Sequence, residues 1–256
     1  KTITDKNTIS VAGVKIVSTV ADQKDMVYVT GATGTKAANE TNGVQLTLEH
    51  ALSQIQISAK SDNAVYTYQV KGIRISNVDG EADFNVVNGT WSNNVANDQI
   101  YEVKYATPVT LNGTAQSIME RKQDNGTDYS DNAMLLPQGA TTAWDVDADQ
   151  TNTNKGTYIS VLLRITKGAD NVFPAEGTET YGWAAVPVSF TWNKGNKYVY
   201  TLDFTNGAGR VDPVDPGTDV DPGNKDPDKG DKILGDPIKF TVTVTPWNPQ
   251  ENNIGM

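Results

Sequence analysis

The sequence predicts an all-β protein, an antiparallel β-sandwich. Apolar residues recur at every second position in roughly ten short stretches, the period of a half-buried strand. Turn residues, among them the pairs Asn88-Gly89 and Asn112-Gly113, separate these stretches. Helical spacing is scarce, and the one candidate, Ser117 to Lys122, makes only about two turns.

Ile9 to Val17 is expected to be a strand bulged at Gly13, and Asp25 to Val29 a second, short one. Residues 30–43, rich in Gly, Ala, Thr and Asn, connect them to a denser pattern. There Val44, Leu46 and Leu48 alternate with polar residues, and Ile55, Ile57 and Ala59 resume the alternation after a short crossover. Leu48, Leu52 and Ile55 also fit helical spacing, so a helical turn at that crossover is an alternative. Val65 to Val70 and Gly72 to Ser76 follow, then a hairpin over Phe84 to Trp91 turning at Asn88-Gly89. Tyr101 to Ala106, Val109 to Leu111 and Ala133 to Pro137 are further strands, the last ended by a proline that cannot donate to a ladder. In Tyr158 to Ile165, Ile159, Val161, Leu163 and Ile165 point inward, while Ser160 and Arg164 point outward. Trp183 to Trp192 and Lys197 to Phe204 are joined at Asn193 to Asn196. Tyr198, Tyr200, Leu202 and Phe204 share one face of the latter.

Residues 207–237 consist largely of Asp, Pro, Gly, Lys and Asn, a composition expected of a disordered or polyproline-like linker. Beyond it comes a strict alternation, Ile238, Phe240, Val242 and Val244 on one face against Lys239, Thr241, Thr243 and Thr245, closed by Trp247. A lone amphipathic strand is unstable in water and must join a sheet. These residues and Trp247 are therefore the candidate partner-binding set. The strand either enters a neighbour's sheet or returns to its own. The expected divisions are residues 1–34 as the end of an N-terminal β domain, 35–206 as the main sandwich, 207–237 as linker and 238–256 as the terminal strand.

At 256 residues the chain can bury a sizeable core. Its net charge of −10 argues against nucleic acid and anionic membrane as partners. There is no cysteine, hence no disulfide or thiolate metal site, and no apolar run long enough to span a bilayer. Lys1 opens no signal-peptide pattern, so any targeting segment is expected to have been removed. The four Asn-x-Thr sequons, at Asn39, Asn88, Asn112 and Asn125, read most simply as turn residues.

Little here supports catalysis. His50 is the only histidine, and no Gly-x-Ser-x-Gly elbow accompanies it, so it reads as a hydrogen-bonded structural residue. No pair of carboxylates is singled out for glycoside hydrolysis, and no pattern asks for a cofactor. Asp145, Asp147 and Asp149 imitate the start of a calcium loop. Gln150 stands where that loop needs glycine and Gly156 where it needs glutamate, so a solvated acidic loop is the simpler reading. Trp91, Trp144, Trp183, Trp192 and Trp247 fit core edges better than a sugar-binding platform.

Several stretches together resemble one family, the fimbrillin-like proteins or type V pilins of Bacteroidetes. They are Asp25 to Tyr28; Val44 to Ile55 with its His50-Ala-Leu-Ser; Met134-Leu-Leu-Pro137-Gln138; Trp192-Asn-Lys-Gly195-Asn-Lys-Tyr198-Val-Tyr200; and Pro237 to Trp247. The resemblance implies two transthyretin-like β-sandwich domains and export as a lipoprotein. It also implies proteolytic loss of an N-terminal strand and polymerisation by strand exchange at the outer surface. The family's N-terminal domain is longer than the stretch that precedes Val44 here. On this resemblance the chain is expected to be a non-catalytic fimbrial subunit whose partners are other pilin subunits and a host or bacterial surface ligand. The alternative is a monomeric adhesin or glycan-binding sandwich whose last strand closes its own sheet.

Overall fold

The computed structural model describes residues 9–41, 43–95, 98–122, 128–130 and 132–247. The sequon at Asn125 and the stretch after Trp247 lie outside them.

Two sheets face each other across one apolar core. One runs β12 (Ala133–Leu135), β4 (Ser53–Lys60), β16 (Asn196–Asp203), β18 (Lys239–Pro246), with β9 (Gln116–Ser117) also paired to β4. The other runs β17 (Arg210–Val211), β15 (Gly182–Pro187), β13 (Tyr158–Lys167), β5 (Thr67–Val78), β8 (Gln99–Thr110), with β14 (Asp170–Phe173) also paired to β13. The alternating residues of β4, β13 and β16 meet between the sheets, where Ile55, Ile57, Val161, Leu163 and Leu202 are fully buried. All ladders are antiparallel except β4 with β16, which run parallel.

A smaller sheet of β1 (Ser10–Lys15), β6 (Glu81–Asn85) and β7 (Thr90–Val95) packs Phe84 and Trp91 against Tyr28 and Ala51 at one end. A short ladder of β2 (Val27–Tyr28) on β3 (Glu49–His50), and another of β10 (Glu120–Lys122) on β11 (Asp128–Ser130), complete the strands. Residues 10–28 therefore pack on the sandwich. Val20 enters its core, and the Gln23 side chain accepts from the Met134 N–H.

Several expectations need correcting. Ser117 to Lys122 forms no helix. Ile118 donates its N–H to Ile57 and is buried with Met119, so cross-strand bonding satisfies this backbone without a helical turn. Val44 to Leu48 forms no strand: no neighbour pairs with it, and all three apolar side chains stay exposed. No helical turn sits at the crossover that follows. Ser160 faces away from the core as expected, yet it is fully buried, because another segment lies over it.

That segment is 207–237. It is not a leash but a folded hairpin-like loop across the outer face of β13 and β15. Its two arms bridge at Gly207–Gly235 and Arg210–Lys232, and Val211 N–H donates to Asp231. Asp212, buried, accepts from Ser160 Oγ (2.5 Å) and from the N–H groups of Val214 and Asp215. Asp226, also buried, accepts from Ala175 and Asp221. The acidic side chains that make the composition look disordered thus cap their own turns. Gly207 is required at the crossing, where a Cβ would sit 1.6 Å from the Asp236 carbonyl oxygen.

Candidate subunit interface

The loop returns the chain to the place it left, and so delivers β18 alongside β16. All eight residues of β18 pair, from Lys239 opposite Asp203 to Pro246 opposite Asn196. Phe240, Val242 and Val244 sit opposite Leu202, Tyr200 and Tyr198, which places them on the core side. They nonetheless remain 38%, 41% and 51% exposed. The facing sheet ends in the two-residue β17, so too little lies above this edge to cover them. The other long edge of β18 pairs with no strand among the described residues. Such an edge presents unpaired backbone groups and is a template for another chain.

Both ends of the strand are pinned. Ile238 is buried against Gly209, whose positive φ of 76° suits glycine, and a cleft of about 190 Å³ opens beside it at Ala185 to Pro187. Trp247 stacks on His50 with ring centroids 3.7 Å apart and planes 5° from parallel, and its N–H donates to Gly195. His50 Nδ1 lies 2.7 Å from Asp25 Oδ2. A carboxylate only accepts, so that nitrogen carries the proton. One imidazole thus joins the N-terminal segment, β3 and the end of β18. At the strand's other end Asp203 faces Lys239. Burial alone would raise the Asp203 carboxyl, but bonds from Thr205 and the Lys60 ammonium hold it below its usual range.

The predicted partner-binding residues therefore come together on one strand, with Ile238 and Trp247 as anchors and Phe240, Val242 and Val244 as the uncovered row. Sequence reasoning missed the support from Gly209, Gly195 and Asp25. Only Gly195 carried a signal, as part of the turn between two strand patterns. Trp144, Trp183 and Trp192 are buried and form no exposed platform. In the acidic loop, Asp145 accepts from the N–H groups of Asp147 and Ala148, and Asp149 from that of Asn154. Among the described residues no helix is long and apolar enough to cross a membrane.

The described residues form an all-β sandwich whose last strand leaves one edge open and carries an apolar row. The sequence matches the fimbrillin-like family model over residues 2–247, and the chain belongs to that family. No curated protein matches it. Solved structures with a related trace include a candidate cell adhesion protein from Bacteroides uniformis. It is 15% identical, with a TM-score of 0.42, over 97% of this chain and 69% of that one. Another, from Parabacteroides distasonis, is 13% identical with a TM-score of 0.39, over 85% and 65%. A third, from Bacteroides fragilis, is 12% identical with a TM-score of 0.36, over 82% and 49%. The chain thus spans from about half to about seven-tenths of their lengths, and likeness at this level carries no functional argument. Membership of the family supports a fimbrial or adhesion-related, structural role.

Proposed function

We propose that the chain is a non-catalytic subunit of a cell-surface fimbria, joined to its neighbours by β-strand complementation through its terminal strand. Export as a lipoprotein precursor, an outer-membrane location and homo- or hetero-polymeric pilin partners belong to the same proposal. So do the N-terminal domain remnant at residues 1–34 and a host or bacterial surface ligand. The observation that carries it is the state of β18: a complete backbone ladder on one side, and an apolar row left 38–51% exposed. Full burial of a side chain of this kind is worth roughly 1.5–3 kcal/mol, so a large share of that stabilisation is unrealised in the single chain. A neighbouring subunit that takes up or covers the strand would realise it.

The test is to end the chain at Leu234 and compare it with the full chain by circular dichroism and electron microscopy. The expected result is a folded protein that forms no fibres, while the full chain does. Fibres from the shortened chain would sink the proposal. The second reading, a monomeric adhesin whose last strand closes its own sheet, is favoured by the unbroken register on β16 and by the two anchors. It expects the shortened chain to unfold and the full chain to stay single at high concentration.

A further inference from the structure

Among the described residues, 44–48 carry a strand's alternation with no strand beside them, and β18 carries an outer edge with no strand upon it. We propose that the two meet across copies: Val44 to Leu48 of one chain adds as an antiparallel strand to the outer edge of β18 in the next. This rests on the reading of β18 as the joint between subunits, and it names the strand that β18 meets there.

The segment is tied at both ends and bare between them. On one side Gly43 donates its N–H to the Asn39 carbonyl, and its own carbonyl accepts from Asn39 Nδ2, closing the turn after the short helix Lys36–Asn39. On the other side Glu49 and His50 pair with Tyr28 and Val27. Between these ties every residue is exposed, with Val44 at 41%, Leu46 at 62% and Leu48 at 47%. The backbone of 44–48 joins no ladder among the described residues, so a new partner would displace none.

Neither element carries the usual guards against edge pairing, which are charges, prolines or bulges within the strand. Val44 to Leu48 contains no charge and no proline. β18 runs its eight residues along β16 without a register shift, and its charge and its proline stand only at its two ends, Lys239 and Pro246. Two unguarded edges are what strand addition requires.

The side chains also select the direction and the register. Strand side chains alternate between faces, so a slip of one residue would set the apolar row against Thr241 and Thr243. With the strands antiparallel and Val44 opposite Val244, Leu46 meets Val242 and Leu48 meets Phe240, which extends the uncovered row. On the other face Gln45 and Thr47 meet Thr243 and Thr241, and Glu49 meets Lys239, both exposed. A slip of two leaves one of the three apolar residues without a mate on β18. The parallel arrangement sets Glu49 opposite Thr245 and loses the charge pair. Tyr28 and Thr30 already donate to Glu49, but a carboxylate keeps lone pairs enough for a lysine as well. Segment and edge are different surfaces, so each copy has one of each to offer. Association of this kind is head to tail, as in filaments, and not an isologous dimer.

The chain has no cysteine, which makes the pairing directly readable. Full chains bearing Thr47→Cys are mixed with chains bearing Thr241→Cys under mild oxidation, and Leu46→Cys with Val242→Cys. Disulfide-linked heterodimers are then identified by mass spectrometry. Neighbouring positions differ in spacing across an antiparallel pair, so at least one of the two mixtures is expected to cross-link. Its yield should be at least about tenfold that of Thr47→Cys with Thr245→Cys, which stands about 13 Å off register and beyond the reach of a disulfide. If neither mixture exceeds that control, the proposal is overturned. These cross-links report contact in solution and do not depend on fibres. Leu46→Asp supplies the fibre readout. Leu46 is exposed, so the variant should melt with the parent, while a carboxylate set against Val242 should cut fibre yield at least about tenfold. Fibres lost on ending the chain at Leu234 but kept in folded Leu46→Asp overturn this pairing and leave β18 as the joint. Fibres kept in both remove β18 from the joint, and this pairing with it.

Discussion

At the scale of single residues, charge and burial are balanced at a few positions with readable consequences. Burial alone would raise the Glu102 carboxyl, but Arg74, 2.7 Å away, and Lys104, 3.0 Å away, hold it below its ordinary range. A carboxylate whose native pKa is depressed adds stability above its unfolded value, about 4.3, and loses it as pH falls through the lower native value. The parent protein should therefore melt above Glu102→Gln near pH 6, and the difference should shrink steadily as melts are repeated toward pH 3. Asp212 behaves oppositely: burial, its largest influence, raises it despite the donors around it. Replacing it with alanine strands the Ser160 hydroxyl and two backbone N–H groups. A loss of about 1–3 kcal/mol is expected, measurable by urea unfolding. The His50–Trp247 stack is a further single-residue support. Trp247→Ala should leave the core intact while hydrogen exchange over 239–246 quickens, because the strand's far end is freed.

Among the elements, the loop over 207–237 and the strand it delivers decide most. Gly207→Ala would drive a methyl into the Asp236 carbonyl and open the crossing of the two arms. We expect a cost of about 1–3 kcal/mol and faster proteolysis within 207–237 than elsewhere. How far these elements could be read in advance depends on what periodicity encodes. β4, β13 and β16 were legible because a period of two states which face is dry. It does not state what covers the other face, so Ser160 on β13 read as solvent-facing while Asp212 in fact caps it. Nor does it supply a partner, so Val44 to Leu48 has a strand's pattern without a strand's ladder. Composition failed over 207–237 for a related reason. Asp-Pro-Gly runs look the same whether their carboxylates face water or cap backbone N–H groups. On β18 the row of apolar residues was legible and its place beside β16 was not, because pairing joins residues far apart in the chain.

For the whole molecule, the question is how copies meet. Phe240→Lys with Val242→Lys places charge on the uncovered row without removing a ladder bond. The doubly substituted chain is expected to stay folded, with a melting temperature within about 2–4 °C of the parent, and to form no fibres by electron microscopy. Fibres of normal yield would move the contact elsewhere on the surface. The parallel pairing of β4 with β16 has a consequence for biogenesis as well. Gln54 waits for Lys197, so β4, which β9 and β12 can pair on one side, lacks its neighbour on the other side until most of the polypeptide has been made. Late closure of this kind slows folding and leaves apolar surface exposed in intermediates. The final strand joins after that closure and lies at the end of its sheet, with no strand among the described residues paired to its outer edge.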